Sequence, residues 1–251
     1  MNRYFIYLAY KGTHYCGWQK QPNGVSIQQC IEETLSMLLR QPITVVGAGR
    51  TDAGVHARMG VAHFDVLKEI DDPSLLADKL NKILPSDIAV HKIRPVSNEA
   101  HARFDARART YIYLISDKKM PFRNEYVCRM SLQSINFERM NEACSALLEY
   151  TDFTSFSKLH TDVKTNLCRI SEAGWSKSDD LWVFTIKADR FLRNMVRSIV
   201  GTLLDVGRGK LSIRDFRDII EAKNRCRAGM SMAPEGLALT KIEYPEHLFL
   251  P

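Results

Sequence analysis

The residues best suited to chemistry lie in one short stretch of small side chains, GAGRTDAGVHA at 47–57. It carries a single carboxylate, Asp52, with Arg50 two residues before it and His56 four residues after it. Glycine and alanine let another backbone or a planar ligand come close, and a loop carboxylate is accessible and can be positioned by its scaffold. The pattern favours a functional carboxylate. The structural alternative is an Asx turn at Asp52 with Gly54 at positive φ.

The same stretch does not match the common phosphate and metal templates. Gly47 and Gly49 begin a G-x-G-x-x-G, but the third position is Asp52 and a strand is expected to follow, which excludes the dinucleotide fingerprint. One acid is too few for a calcium loop or for a two-carboxylate glycosidase. His56 and His63 lack a third obvious ligand, so a metal site is disfavoured.

The first half of the chain is expected to supply the elements that hold this stretch. Ser26 with Gln29 predicts a capping box, and Asp72 before Pro73 predicts a second helix start. The expected elements are a strand at 3–10, a helix at 27–40, strands at 43–47 and 61–66, a helix at 73–84 and a strand at 88–96.

The second half repeats the pattern with one additional helix. Ser212 with Asp215 marks the start of that helix. The expected elements are a strand at 110–116, a helix at 137–148, strands at 167–175 and 181–188 joined through the polar SKSDD, a helix at about 191–205, a helix after Ser212 and a strand at 236–244. The order predicts an α+β fold of two tandem ferredoxin-like β-α-β-β-α-β units with mainly antiparallel sheets. The expected domains are 1–105, which carries Asp52, and 106–251.

Composition narrows the class of protein. The 251 residues include 45% hydrophobic and 25% charged residues, which is ordinary for a globular chain. The net charge of +6 suits a polyanion such as RNA, although many proteins of this charge bind none. The sequence shows no membrane-spanning run and no signal peptide, so a cytoplasmic protein is expected. The six cysteines lack C-x-x-C spacing and are expected to be reduced thiols, several of them in the core.

A set of motifs spread along the whole chain resembles one family. GRTDAGVHA at 49–57 is similar to the catalytic motif of the tRNA pseudouridine synthase A family. The further matching motifs, in the family's order, are YKGTHYCGWQKQ, HARFDARARTYIY, DFTSF, FLRNMVRSIVG and EGLAL. The resemblance implies an isomerase that converts uridine to pseudouridine at positions 38, 39 and 40 of the tRNA anticodon stem-loop. It also implies a homodimer that needs no cofactor and no catalytic metal.

The resemblance also assigns roles to individual residues. Asp52 would be the nucleophile, and Arg197, in the family's M-V-R motif, would form an ion pair with it. Tyr111 would stack on the target base and take part in proton transfer. Leu237 would line the pocket, and Arg50 would fill the space that the flipped base leaves or grip its phosphate. Asp52 falls in the first half and Tyr111 and Arg197 in the second, so an active-site cleft between the halves is expected.

Other arginines are candidates for contact with the RNA backbone. In the helix expected at 191–205, Arg190, Arg193 and Arg197 are spaced i, i+3, i+7 and would share one face. Arg197 lies deep in an apolar helix, where a bound carboxylate is the better explanation of its charge. The further candidates for phosphate contact are Arg58, Arg103, Arg107, Arg109 and Arg193. Each of them could equally be a solvated surface charge.

Two other functions remain open at this stage. A non-catalytic RNA-binding module could use a ferredoxin-like sheet, although the aromatic RNP1 pattern is absent from the sequence. A nucleoside hydrolase could use Asp52 to open the same glycosidic bond, and it would release free uracil.

Overall fold

The computed structural model describes residues 1–158 and 165–250 and has a mixed α+β fold with mostly antiparallel strand pairing. The chain divides into two compact units. Unit 1 comprises Met1–Ala108 and Leu239–Pro251, and unit 2 comprises Arg109–Ala238. The predicted domains, 1–105 and 106–251, remain a prediction.

Unit 1 has the expected element order β-α-β-β-α-β. Its sheet runs β4-β1-β3, with β2 paired to β3, and all of these pairings are antiparallel. The elements are β1 (Asn2–Tyr10), α1 (Ile27–Leu39), β2 (Val45–Gly47), β3 (His56–Val66), α2 (Pro73–Ile83) and β4 (Ile88–Val96).

Both helices of unit 1 begin at the predicted caps. The Ser26 hydroxyl accepts the Gln29 N–H at 3.2 Å, and the Asp72 carboxylate accepts the Leu75 N–H at 2.9 Å. The predicted capping box at Ser26 is incomplete, because only its Ser26 half is present, and the Gln29 side-chain amide donates to Glu33. A side-chain oxygen that accepts one N–H is enough to stabilise the first turn.

The strands around the Asp52 stretch differ in length from the prediction. β3 begins at His56, five residues earlier than expected, because its first residues pair with the end of β1, where Ala57 lies opposite Tyr10. β2 is limited to Val45–Gly47. The loop between these strands is therefore short, and both of its ends are tied to the sheet.

Unit 2 contains one strand that was not expected. β5 is antiparallel to β8, β8 is antiparallel to β7, and the two-residue β6 is parallel to β5. The elements are β5 (Ala108–Ser116), β6 (Cys128–Arg129), α3 (Phe137–Leu147), β7 (Ile170–Ser178), β8 (Leu181–Ala188), α4 (Met195–Gly207), α5 (Ile213–Glu221) and β9 (Leu237–Glu243). Only Leu237 and Ala238 of β9 belong to unit 2, and Leu239–Glu243 belong to unit 1.

The prediction that SKSDD joins β7 and β8 is only half right. Ser176–Ser178 continue β7, and the turn is limited to Asp179 and Asp180. Asp179 has a φ of 51°, a left-handed conformation that Asp tolerates in tight turns. The start of α5 is as predicted, because Ser212 and Asp215 form a complete capping box.

Helix α4 begins at Met195, not at Phe191 as predicted. Asn194 has a left-handed φ of 66°, and its side-chain amide donates to the Ser231 hydroxyl, so the chain bends there. Arg190 and Arg193 precede the helix, and the predicted face shared with Arg197 is wrong. The apolar residues at these positions are buried: Leu192, Met195, Val196, Ile199, Val200 and Leu203.

The six cysteines are free thiols, and Cys128, Cys144 and Cys168 are buried, as expected. Burial raises the pKa of the Cys144 thiol to about 12, so this group stays neutral. None of the helices in the described part of the chain has the length and apolar character needed to cross a membrane.

Candidate active site

Asp52 lies in the loop that joins β2 to β3, residues 48–55, here named the Asp52 loop. Its side chain is half-buried, and the neighbouring Arg50 is exposed. The Val55 N–H donates to the Asp52 carbonyl at 3.1 Å, and Gly54 has a φ of 78°. A tight backbone turn with Gly54 at positive φ is therefore present, which is the part of the structural alternative that concerned Gly54.

A second segment of unit 1, residues 10–18, holds the residue before Asp52. The hydroxyls of Tyr10 and Thr51 are 2.9 Å apart, and the Trp18 N–H donates to the Thr51 carbonyl at 3.2 Å. Thr51 is only 8% exposed, so these bonds are largely shielded from water. Thr51 is thus held by its side chain and by its backbone, which limits the movement of Asp52.

Two glycines allow segment 10–18 to approach the Asp52 loop this closely. A Cβ on Gly17 would lie 2.3 Å from the Thr51 carbonyl oxygen, and Gly17 has a φ of +90°. A Cβ on Gly12 would lie 2.1 Å from the Val55 carbonyl oxygen. By contrast, no described atom lies within 4 Å of a Cβ placed on Gly49. The Asp52 loop is therefore in tight contact with segment 10–18 and uncrowded at Gly49.

His56 and His63 have structural hydrogen bonds in unit 1. Nδ1 of His56 accepts the Gly12 N–H at 3.0 Å, and Nδ1 of His63 accepts the Ala102 N–H at 3.1 Å. Desolvation, together with the nearby Arg3, lowers the pKa of His63 to about 4. No group of three His, Cys, Asp or Glu among residues 1–158 and 165–250 has an arrangement that could hold a metal ion.

Tyr111 is a buried residue of β5 in unit 2. Its ring meets that of Phe191 edge-on, with centroids 5.1 Å apart and planes at 85°, and only 9% of the residue is exposed. Such edge-to-face pairs orient an aromatic ring as well as bury it. Leu237, also buried, is the first residue of β9 and follows a short 3₁₀ turn at Pro234–Gly236.

Arg197 and Asp205 are the two residues of α4 that are not buried. Nε of Arg197 donates to the Met232 carbonyl, and the Met232 N–H donates to the Arg197 carbonyl at 3.1 Å. Both the backbone and the guanidinium of Arg197 are thus tied to Met232. Because the bond through Nε fixes the plane of the guanidinium, its terminal nitrogens have a defined direction.

The segment that contains Met232, residues 228–233, packs along α4 and is here named the α4 strap. A Cβ on Gly201 would lie 1.8 Å from the Met230 carbonyl oxygen, so only glycine permits this approach. The Gly229 N–H donates to the Thr202 hydroxyl at 2.9 Å. The α4 strap is also held by Arg225, whose guanidinium donates to the Ser231 hydroxyl at 2.9 Å.

The predicted site residues are divided between the two units. Unit 1 holds Asp52, Arg50, Arg58, Arg103 and Arg107, and unit 2 holds Tyr111, Arg197, Leu237, Arg109 and Arg193. Arg58, Arg103, Arg107 and Arg193 are exposed, whereas Arg109 is half-buried and donates to the Asp189 carbonyl at 2.6 Å. The exposed arginines are accessible to solvent, and RNA contact by any of them stays a prediction.

The supporting residues of both regions were missed by the sequence reasoning. Tyr10, Gly12 and Gly17 lie in the motif YKGTHYCGWQKQ, whose mixture of glycines and aromatics could have indicated close packing. The α4 strap carried no comparable signal, because RAGMSMAPEG has neither a helical nor an alternating pattern.

Comparison with known proteins gives matches along nearly the whole chain. A family model described as tRNA pseudouridine synthase matches residues 6–105 and 143–245. The chain is 61% identical over 249 residues to tRNA pseudouridine synthase A of Parabacteroides distasonis, covering 99% of this chain and 98% of that protein. It is 56% identical over 255 residues to the protein of the same name from Porphyromonas gingivalis, with all of both chains covered.

Proposed function

This chain belongs to the tRNA pseudouridine synthase family, and we propose that it isomerises uridine to pseudouridine at positions 38, 39 and 40 of the tRNA anticodon stem-loop. The observation that carries the proposal is the 61% identity to a curated tRNA pseudouridine synthase A across 99% of the chain. Sequence identity this high over the full length supports the same reaction at the same motif.

Asp52 is proposed as the nucleophile. The reaction breaks the bond between C1′ and N1 of uracil and forms a bond between C1′ and C5, and a covalent intermediate would hold the substrate while the base turns. The half-buried side chain of Asp52, on a loop fixed at Thr51, supports this role. A nucleophile held by its scaffold lowers the entropic cost of reaching the reactive geometry.

Arg197 is proposed to pair with the Asp52 carboxylate and favour its ionised form. The support is the bond from its Nε to Met232, which orients the guanidinium on a helix that is otherwise almost entirely buried. Tyr111 is proposed to stack on the target base and take part in removal of the C5 proton, and Leu237 to line the same pocket. The edge-on contact with Phe191 would keep the Tyr111 ring in one orientation.

Arg50 is proposed to fill the space left by the flipped base or to grip its phosphate. Its exposed side chain, beside the uncrowded Gly49, supports either role. Extrusion of a base from the stem loses a few kcal/mol of stacking and pairing energy. A contact from Arg50 would compensate for part of that loss.

The remaining parts of the proposal concern architecture and context. Tandem ferredoxin-like units are part of the proposal, and the element order of unit 1 supports it for that unit. A homodimer, a cytoplasmic location and independence from cofactors and metals are further expectations from family membership.

The proposed reaction is tested with tRNA that carries tritium at C5 of uridine. The protein, treated with EDTA, should release tritium and leave pseudouridine in the tRNA, and Asp52→Ala should bind tRNA without releasing tritium. Binding without tritium release by the wild type would indicate the RNA-binding module, and free uracil would indicate the hydrolase. Normal turnover by Asp52→Ala would exclude Asp52 as the nucleophile.

A further inference from the structure

Phe104 projects from the surface of unit 1 in the turn HARFD, residues 101–105. Its side chain is 74% exposed, although phenylalanine is among the residues most often buried. An isolated exposed apolar residue is common. Phe104 differs from such isolated residues because several hydrogen bonds fix the turn that carries it.

The turn is closed by four hydrogen bonds. The His101 N–H donates to the Asp105 carboxylate at 2.6 Å, and the Asp105 N–H donates to the His101 carbonyl at 3.0 Å. Nδ1 of His101 accepts the N–H groups of Arg103 and Phe104 at 3.1 and 3.3 Å. The backbone of Phe104 is therefore held directly by the imidazole of His101.

The base of the turn is anchored in the core of unit 1. Ala102 is fully buried, its N–H donates to Nδ1 of His63, and its carbonyl accepts the Tyr244 hydroxyl at 2.6 Å. Three neighbouring rings lead outward from this anchor. The ring centroids of His63 and His101 are 4.6 Å apart, and those of His101 and Phe104 are 4.2 Å apart. A row of three rings thus leads from a buried strand to an exposed aromatic surface.

A positive charge accompanies the exposed ring. The guanidinium carbon of Arg103 lies 5.7 Å from the centre of the Phe104 ring. An aromatic ring that is fixed in place and lies beside an arginine suits an unpaired nucleobase and its phosphate, because bases of any sequence stack on such rings. The net charge of +6 favours the same class of partner.

We propose that Phe104, held by His101 and accompanied by Arg103, stacks against an unpaired base of the tRNA substrate. The inference rests on the proposed function for the identity of the RNA. It adds a binding contact outside the Asp52 loop, made before and during the reaction, so it should contribute to affinity more than to turnover. Each such stack changes affinity roughly 5- to 100-fold.

The test compares Phe104→Ala with Phe122→Ala, since Phe122 is also exposed, at 99%, and also has an arginine as a sequence neighbour. Phe104→Ala should raise KM and Kd for tRNA roughly 5- to 100-fold with kcat within about twofold, because stacking sets affinity. Phe104→Trp should keep near wild-type KM. Phe122→Ala should leave KM unchanged, and thermal unfolding should confirm that all variants are folded.

A spectroscopic readout separates this inference from the proposed reaction. The fluorescence of Phe104→Trp, corrected for the three native tryptophans, should be quenched by tRNA. Quenching of Phe104→Trp with no pseudouridine formed by the wild type would support the contact and refute the reaction. An unchanged KM in Phe104→Ala, an equal loss in Phe122→Ala, or quenching by an acidic peptide and not by tRNA would overturn the contact.

Discussion

The Asp52 loop and helix α4 hold their functional side chains in different ways. The loop is short, and the bonds that hold it include those from Tyr10 and Trp18 to Thr51. Helix α4 is buried at eleven of its thirteen residues and is overlaid by the α4 strap. Both regions use a glycine where two backbones meet, Gly17 for the loop and Gly201 for the helix.

This difference predicts how substitutions in each region should affect activity and stability. Because only Ala48 and Val55 of the eight loop residues are buried apolar side chains, displacing the Asp52 loop should lower activity more than stability. Because α4 forms much of the core of unit 2, displacing the strap from it should lower both. The predictions that follow test this contrast, from the largest expected effect to the smallest.

Next to the loss of Asp52 itself, removal of the Arg197 guanidinium should give the largest loss of activity. Arg197→Ala is expected to lower kcat by about 100- to 1,000-fold, the usual effect of losing one oriented hydrogen-bond donor. Arg197→Lys should recover little, because lysine lacks the Nε donor that bonds Met232. Single-turnover tritium release measures the effect, and Arg214→Ala, at an exposed position on α5, is the control. Equal losses in both variants would contradict an individual role for Arg197.

A methyl group at Gly17 should displace the Asp52 loop. Its Cβ would lie 2.3 Å from the Thr51 carbonyl oxygen, and the φ of +90° is unfavourable for alanine. We expect kcat to fall about 100-fold, as for a displacement of about 1 Å at a reacting group. Gly49→Ala, in the same loop with no described atom within 4 Å of its Cβ, should stay within about twofold of wild type if positioning alone matters. A comparable loss at Gly49 would instead indicate that ligand occupies that space.

The equivalent substitution in unit 2, Gly201→Ala, should act mainly on stability. Its Cβ would lie 1.8 Å from the Met230 carbonyl oxygen, so the α4 strap must move. The free energy of unfolding should fall by about 1–3 kcal/mol, as in other overpacked cores, and activity should fall with it because Met232 also holds Arg197. Urea unfolding measures the change. Gly174→Ala, whose Cβ would make an ordinary 3.6 Å contact, is the control.

The same contrast shows what the sequence could and could not reveal. The strand-loop-strand around Asp52 was predictable, since small residues lie between two alternating apolar runs and Gly54 marks the turn. The start of α4 was not, because the apolar spacing continues back to Phe191 while Asn194 adopts a left-handed conformation. The bend is accompanied by a hydrogen bond from the Asn194 side chain to Ser231, 37 residues later. The spacing of apolar residues within the helix cannot predict such a distant contact.

The buried titratable groups extend the comparison to pH. In unit 1, burial and the charge of Arg3 lower the pKa of His63 to about 4, below its ordinary value of 6.5. The unfolded chain therefore binds a proton at a pH where the folded chain does not. The folded state therefore has its full stability with respect to His63 above pH 6.5, and it loses stability as the pH falls towards 4. In unit 2, the buried thiols of Cys144 and Cys168 have pKa values raised to about 12 and stay neutral throughout this range.

Acid should therefore weaken unit 1 through His63, and His63→Asn should reduce that weakening. Asparagine keeps an oxygen that can accept the Ala102 N–H but does not titrate. Between pH 6.5 and 4, the variant should lose about 1–2 kcal/mol less unfolding free energy than the wild type, after allowance for solvent screening. Some slope should remain, because burial also lowers the pKa of His101. Urea unfolding at a series of pH values measures the slope, and His91→Asn, at an exposed position, is the control. Parallel curves for wild type and His63→Asn would show that His63 is not the group through which acid acts on unit 1.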